Sequence, residues 1–511
     1  MKVFNYSLRA YKWSIVIALL GTLVFIPPVF GGSKNEIKMS SFGDIGSIDP
    51  GWFVSEARDY VVMDCVYDGL CKYEEGSWKV VPDLAESWDV SKDGLEITFH
   101  LRKGVQFHKG YGEMTAEDVK FTYERLLAPD SDAPERKQIL SIDHLEVLDK
   151  YTVKMVLKEY MAQLFTLTLP THMGFIISKK AYQEIGKSKF RMNPVGCGPY
   201  EFESWEPSVR TVLKAFDHYW RGKPKIDRVV IVPISDVHTA ETALKTGELD
   251  ISYISEKNVK SFEKNPKFDV TVKPGLKWYW IGFTFNKPPF DNLKLRQAFR
   301  YTVDVEKILN AVFFGTATRI NAILQKGTLG YWKDAPAYQQ DLAKAKQLLK
   351  EGGKPDGFKA TCNVANVDWS MTTSEIIKAD AAKVGIDLEI VVNEIAAFNQ
   401  ANRSGTYNMF TERWSNMMDP HQIMQYLKSE DKWNITHWKN KEFDDLIDKG
   451  ASERDPIKRG EIYVKAQQIQ DEECYGVFLT NGIKAWAAQK NVNIGKLYPN
   501  GRLTPWTMSF K

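Results

Sequence analysis

Apolar and polar residues alternate along several stretches of the chain, and this alternation predicts strands with one buried face. The clearest stretch is 95–102, Leu-Glu-Ile-Thr-Phe-His-Leu-Arg. Further on, 144–148 and 152–157 flank the turn-forming pair Asp149-Lys150 and predict a hairpin. Between these strands, Thr115-Ala116-Glu117-Asp118 has the pattern of a capping box, which predicts the start of a helix. This part of the chain therefore predicts an α+β lobe.

A second region combines a continuous apolar run with a helix. The run 229–233, Val-Val-Ile-Val-Pro, is followed by a predicted helix at 236–245 and a short strand at 249–254. An all-apolar strand is buried on both faces, and a strand, a helix and a strand within thirty residues form a βαβ unit. The region therefore predicts a parallel sheet, preceded by strands at 200–204 and 209–214.

The chain becomes rich in helices after the aromatic segment that begins at residue 278. Helices with one apolar face alternate there with short apolar strands, which predicts another α/β unit. The predicted helices are 293–302, 342–350, 370–383 and 457–470, and the predicted strands are 359–364, 387–392 and 408–414.

Length and composition indicate a globular protein with more than one lobe. A chain of 511 residues is longer than one core needs, so we expect two or three lobes. Apolar residues make up 43% and charged residues 26%, which is typical of globular proteins rather than of disordered chains or coiled coils. Lys and Arg number 68 against 65 for Asp and Glu, so we expect no nucleic-acid partner.

The N-terminus has the order of residues found in a secretory signal. Basic residues extend to Lys12, an apolar run covers 15–26, and Pro27-Pro28 precedes small residues that suit cleavage. This predicts a cleavable signal peptide at 1–31. An uncleaved anchor at 13–30 is the alternative, although the apolar run is shorter than the ~20 residues that span a bilayer.

The sequence contains no motif for catalysis, metal binding or a cofactor. It has no Gly-x-Ser-x-Gly, Walker loop, His-Glu-x-x-His or Cys-x-x-Cys. The pair Gly196 and Gly198 lacks the third glycine of a dinucleotide fingerprint because Glu201 occupies that position. We therefore predict no catalytic residue, no metal, no cofactor and no enzymatic activity.

Seven segments, in order along the chain, carry a family resemblance. They are 47–50 (Ser-Ile-Asp-Pro), 67–70 (Tyr-Asp-Gly-Leu), 82–88, 94–107, 115–119, 194–200 and 285–298. Together they resemble the extracellular solute-binding proteins of family 5, the peptide, nickel and opine receptors of ABC importers. Cys197 stands where the family usually has Thr, a small change within a turn.

The resemblance implies an α/β class of fold, the class II periplasmic-binding-protein fold, with a bilobal cleft and an additional third α+β lobe. Lobe I is expected to be discontinuous and to combine 32–52, 174–275 and 483–511. Lobe II is expected at 53–173 and lobe III at 276–482. The expected hinges lie near Pro274-Gly275 and around 483–485, where lobe III leaves and rejoins lobe I.

The implied function is that of a periplasmic receptor that captures a peptide or peptide-like solute by cleft closure. Its expected partners are that ligand and the transmembrane subunits of an ABC permease, and it is expected to act as a monomer. A non-peptide cargo, such as a nickel chelate, an opine, a polyamine or an oligosaccharide, is the alternative within the binding class. A secreted hydrolase and a sensory receptor are alternatives from other classes.

Three candidate ligand contacts come from two segments. Asp44 lies in the loop before the first family segment, where the family's peptide receptors contact ligand, and a solvated loop acid is the alternative. Trp278 and Trp280 begin the third lobe and are candidates to line the cleft. The alternative is that both rings are buried in the core.

Four more candidates lie at the end of the strand predicted at 408–414 and just after it. They are Arg413, Trp414, Asn416 and Asp419. Peptide receptors of the family have a Trp at this strand end and, three residues later, an Asp that holds the ligand's ammonium group. Met417 occupies that later position here, so the resemblance to the ammonium site is incomplete. A helix cap is the alternative role for Asp419.

Overall fold

The computed structural model describes residues 35–53, 55, 58–415 and 418–511. The predicted signal peptide at 1–31 and the candidate Asn416 lie outside the described residues. Within the described part of the chain, no helix combines the length and the apolar character needed to cross a membrane.

The described residues form twenty strands and fourteen α-helices. The strands are β1 Glu36–Ser41, β2 Cys71–Tyr73, β3 Val80–Pro82, β4 Ala85–Val90, β5 Glu96–Leu101, β6 Ile142–Asp149, β7 Thr152–Leu157, β8 Tyr200–Glu206, β9 Arg210–Ala215, β10 Arg228–Pro233, β11 Ile251–Tyr253, β12 Phe268–Pro274, β13 Lys277–Phe283, β14 Lys359–Ala365, β15 Asp387–Asn393, β16 Met409–Ser415, β17 Gly476–Thr480, β18 Ile483–Gln489, β19 Val492–Asn493 and β20 Ser509–Phe510. The helices are α1 Tyr60–Val66, α2 Ala116–Leu127, α3 Lys179–Ile185, α4 Lys187–Phe190, α5 Val237–Thr246, α6 Val259–Glu263, α7 Leu293–Thr302, α8 Val305–Phe313, α9 Leu342–Glu351, α10 Asp368–Ala382, α11 Ile395–Arg403, α12 Pro420–Met424, α13 Lys441–Ser452 and α14 Pro456–Glu472.

The first sheet has seven strands in the order β12-β18-β11-β1-β10-β9-β8. Strand β1 is parallel to both of its neighbours, β10 and β11, which agrees with the predicted βαβ unit. Strand β18 comes from the far end of the chain and pairs antiparallel with β11 and β12. Alternate residues of β18 enter different cores, Trp486 on one face and Ala485 and Ala487 on the other. The sheet is therefore buried on both faces.

The second sheet has four antiparallel strands in the order β4-β5-β7-β6. On β5, Ile97, Phe99 and Leu101 are buried and the residues between them are more exposed, as the alternating pattern predicts. Helix α2 begins with the predicted capping box, in which the Thr115 amide donates to Asp118 over 3.0 Å.

The third sheet has five strands in the order β15-β14-β16-β13-β17, with helices on both faces. Strands β14, β15 and β16 are parallel, and β13 lies antiparallel between β16 and β17. On β13, Tyr279 and Ile281 enter one core, and Trp278 and Trp280 enter another. Alternate side chains thus face opposite sides, as they must in a strand.

Two adjacent crossovers connect the first and third sheets. One runs from Pro274 at the end of β12 to Lys277 at the start of β13, and the other runs from β17 to β18. The Gly275 amide donates to the Gly482 carbonyl over 3.1 Å, and the Asn481 side chain donates to the Lys277 carbonyl over 3.1 Å. These crossovers lie where the hinges were predicted. The hinge role and the predicted lobe boundaries remain predictions.

Candidate functional site

The carboxyl ends of the parallel strands in both large sheets lie beside the crossovers. In the first sheet β12 runs parallel to β11, β1 and β10 and ends at the crossover. In the third sheet β17 runs parallel to β16 and also ends at a crossover. Ligands of open α/β sheets bind in the crevice outside the carboxyl ends of the strands. The crevice between these two edges is therefore the candidate site.

Three stacked aromatic rings lie at the first-sheet edge. The ring centroids of Phe42 and Tyr253 are 3.9 Å apart, and those of Tyr253 and Trp486 are 3.7 Å apart. Trp486 is buried, whereas Phe42, the residue after β1, remains 40% exposed. Tyr253 and Trp486 are stacked, and the Phe42 ring is tilted by 32° to that of Tyr253. Asp44 is the residue of this loop that the sequence pattern indicated as a ligand contact, and Phe42 was not predicted. An aromatic residue directly after a buried strand could have indicated Phe42.

Asp44 anchors this loop to the β8–β9 hairpin. Its carboxylate accepts hydrogen bonds from the Trp205 indole over 2.8 Å, the Ser208 amide over 2.7 Å and the Ile45 amide over 3.0 Å. These protein donors occupy most of its acceptor positions. The geometry indicates a structural role, and ligand contact by Asp44 remains a prediction.

Arg58 lies across the same edge and was missed by sequence analysis. A β-carbon added to Gly43 would lie 3.2 Å from the Arg58 Cδ and 3.5 Å from the Ser235 Oγ, so the side chain passes the ends of β1 and β10. No carboxylate within the described residues forms an ion pair with Arg58. The local sequence pattern does not indicate Arg58 as a site residue, because its place at this edge depends on its contact with the segment after β1.

The third-sheet edge contains a tryptophan cluster. Trp414 is half-buried and its ring centroid lies 5.9 Å from that of Trp278 and 6.4 Å from that of Trp280. Trp278 and Trp280 are both fully enclosed and stack with centroids 4.7 Å apart. Their burial favours the core role over direct ligand contact, so Trp414 is the member of this cluster that a ligand can reach.

Arg413 projects from the face of β16 opposite Trp414. It is exposed, and its guanidinium lies 5.9 Å from the centre of the Tyr279 ring. The neighbouring Glu412 is buried, and its carboxylate accepts from the Asn402 side chain over 3.2 Å and from the Arg413 amide over 2.8 Å. Burial raises the pKa of Glu412 to about 7, so this group is only partly ionised at neutral pH.

Asp419 is enclosed by protein donors. It accepts two hydrogen bonds of 2.7 Å from the Arg459 guanidinium, one from the Thr166 hydroxyl and one from the His421 amide. It is fully buried, and a carboxylate has about four acceptor positions. This arrangement matches the capping alternative at the start of α12 and leaves no acceptor for a ligand.

The described residues contain no cluster of three or more metal-ligating side chains. The five cysteines are all buried and free. The crevice therefore offers aromatic surfaces and charged side chains as its means of recognition.

The chain is similar in sequence to a known protein family and to known proteins. A model of the middle region of the bacterial extracellular solute-binding proteins, family 5, matches residues 79–434. The dipeptide-binding protein of Escherichia coli (strain K12) is 28% identical over 476 residues, which cover 86% of this chain and 87% of that protein.

Two solved structures are similar over nearly the whole chain. HbpA2 from Haemophilus parasuis superposes with a TM-score of 0.85 at 27% identity, covering 93% of this chain and 100% of that one. The ABC transporter-associated periplasmic binding protein DppA from Helicobacter pylori, in complex with the peptide STSA, superposes with a TM-score of 0.72 at 28% identity, covering 93% and 98%. The predicted family and class of fold are confirmed. The chain belongs to the bacterial extracellular solute-binding proteins of family 5.

Proposed function

We propose that the protein captures a peptide or peptide-like solute for an ABC importer and delivers it to the permease in the membrane. The observation that carries the proposal is the crevice between two sheets whose strands end at paired crossovers. Phe42 and Trp414 supply aromatic surface on opposite edges of that crevice. The peptide-binding relatives described above support the class of ligand.

The proposed mechanism is closure of the crevice by rotation about the two crossovers. A ligand favours closure only if it makes more contacts in the closed form than in the open form. Residues on both edges must therefore contact it together. Gly482 has a φ of +65°, a conformation that suits glycine at a segment where the chain changes direction.

The proposal includes the remaining predictions of the sequence. Residues 1–31 direct export to the periplasm and are removed, the chain divides into lobes I, II and III at the boundaries given above, and the protein acts as a monomer. The receptor performs no catalytic step, so it releases its ligand chemically unchanged.

The test uses the full exported chain and a pool of di- to pentapeptides. We expect native mass spectrometry to find peptides retained with unaltered masses. Trp414→Ala should weaken their binding at least about ten-fold, equivalent to about 1.4 kcal/mol, because a half-buried aromatic contact is lost. Trp433→Ala is the matched control, because Trp433 is a second accessible tryptophan on this part of the chain but contacts Tyr426.

Two results would contradict the proposal. Retention of no peptide would reject the class of ligand. Turnover of the peptides during incubation would instead support the secreted hydrolase.

A further inference from the structure

Each edge of the crevice carries an arginine side chain. Arg58 on the first-sheet edge and Arg413 on the third-sheet edge each lack a carboxylate partner among the residues that the structure describes. Arg58 is half-buried and Arg413 is exposed, and guanidinium groups form strong paired hydrogen bonds with carboxylates. Both side chains are therefore available to an anionic group.

The acids near the first-sheet edge are already engaged by main-chain donors. Asp44 accepts from the Ser208 amide over 2.7 Å. Asp59, next to Arg58, is buried and accepts from the Gly46 amide over 2.8 Å and the Ser55 amide over 2.9 Å. Asp236 caps α5 by accepting from the Thr239 amide over 2.8 Å. None of these carboxylates is directed towards Arg58 within ion-pair distance.

The acids near the third-sheet edge are engaged as well. Asp419 forms an ion pair with Arg459. Glu412 is buried, and its raised pKa of about 7 leaves it only partly ionised at neutral pH. Glu256 is the acid that remains close to this edge, and its charge and that of Arg413 act on Tyr279 in opposite directions. Among the acids that the structure describes near Arg58 and Arg413, Glu256 is therefore the one that remains available to pair with them.

We infer that the receptor selects acidic solutes, namely short peptides or peptide-like molecules that carry one more carboxylate than ammonium. Arg58 and Arg413 are the specificity-determining residues. This inference rests on the proposed function. Its physical basis is that a charge which closure encloses must be paired, so guanidinium groups on the two edges that approach each other favour a ligand with two carboxylates.

The test compares peptides that differ by one charge and almost nothing else. Tripeptides containing Glu at one position are mixed in equal amounts with the same tripeptides containing Gln, and the fraction of each retained by the full chain is measured by mass spectrometry after equilibrium dialysis. We expect the Glu members to be enriched at least about ten-fold. Arg58→Gln and Arg413→Gln should each reduce that enrichment several-fold.

Each variant has a control from its own sheet. Arg228 begins β10 at the opposite edge of the first sheet and pairs with Glu203 over 3.4 Å, so Arg228→Gln should keep the enrichment. Arg403 ends α11 and is exposed beside Trp433, so Arg403→Gln should also keep it. A melting temperature equal to that of the parent chain shows that a variant is folded.

The outcomes separate this inference from the proposed function. Equal retention of Glu and Gln peptides would overturn the inference and leave the proposed function intact. The same conclusion would follow if both arginine variants kept the full enrichment. Retention of neither set would reject the proposed function and the inference with it.

Discussion

A carboxylate that follows a strand end is available to a ligand only if protein donors leave it unsatisfied. Asp419 is fully buried, and the side chain of Arg459 is 4% exposed. Their two hydrogen bonds of 2.7 Å hold α14 against the start of α12. Removing one charge would leave the other enclosed without a partner, which costs more than the pair itself contributes.

Arg459→Met is therefore expected to lower the free energy of unfolding by about 3–5 kcal/mol. Urea unfolding followed by tryptophan fluorescence measures the change. Lys439→Met is the control, because Lys439 and Glu430 are 68% and 82% exposed at the side chain and such a pair contributes about 0–1 kcal/mol. A loss below about 1 kcal/mol for Arg459→Met would show that the buried pair is dispensable.

The single residues of the site were the hardest to predict. Trp414 was identified because it ends a strand with a recognisable pattern. Asp44 was predicted as a ligand-binding acid. Its carboxylate instead accepts hydrogen bonds from Trp205 and Ser208, which lie more than 160 positions away in the sequence. Arg58 reaches the crevice only because its side chain passes Gly43. Such contacts depend on how distant segments meet.

At the scale of elements, the crossovers bring two backbones unusually close. A β-carbon on Gly275 would lie 2.8 Å from the carbonyl oxygen of Asn481, which is closer than real β-carbon contacts. Glycine therefore allows the hydrogen bond between Gly275 and Gly482 that joins the two connections.

Gly275→Ala is expected to force the two crossovers apart and to destabilise the chain by about 1–3 kcal/mol, because an added methyl group must displace a backbone. It should also weaken binding of the retained peptides. Gly460→Ala, within α14, is the control, since the nearest atom would lie 3.4 Å away and alanine favours a helix. Unchanged stability and affinity in Gly275→Ala would contradict a requirement for the close crossover.

Most elements were predictable from local pattern. Helix α7 has the bounds that its apolar spacing predicts, and the strand predicted at 95–102 is β5 with its apolar residues buried. The prediction worked because one-sided burial imposes a period on the sequence itself. The strand order of the first sheet could not be predicted in this way, because pairing between β11 and β18 leaves no local signal.

At the scale of the whole molecule, the segment between α13 and α14 contacts the turn between β4 and β5 of the second sheet. The Arg454 guanidinium donates to the Lys92 carbonyl over 2.8 Å and lies 5.2 Å from the centre of the Tyr160 ring. A cavity of about 330 Å³ adjoins this contact and is lined by Phe165 among other residues.

Closure should be measurable as a change in overall size. Adding a retained peptide is expected to decrease the radius of gyration in small-angle scattering, because the two sheet edges approach each other. Trp414→Ala, at a peptide concentration that saturates only the parent chain, is expected to show no decrease. Identical scattering curves with and without bound peptide would contradict the closure mechanism.

The sequence by itself determined the helices and the strands with one buried face, because burial periods and turn residues are properties of neighbouring positions. The family and the class of fold followed from the resemblance of seven segments. Tertiary structure decided which side chains reach the crevice. Asp419 is paired with Arg459, and Trp278 and Trp280 are enclosed in the core. Arg58 and Phe42 remain at the edge of the crevice. The physical reason is that a polar or aromatic group is available to a ligand only when no distant part of the chain has already satisfied or covered it.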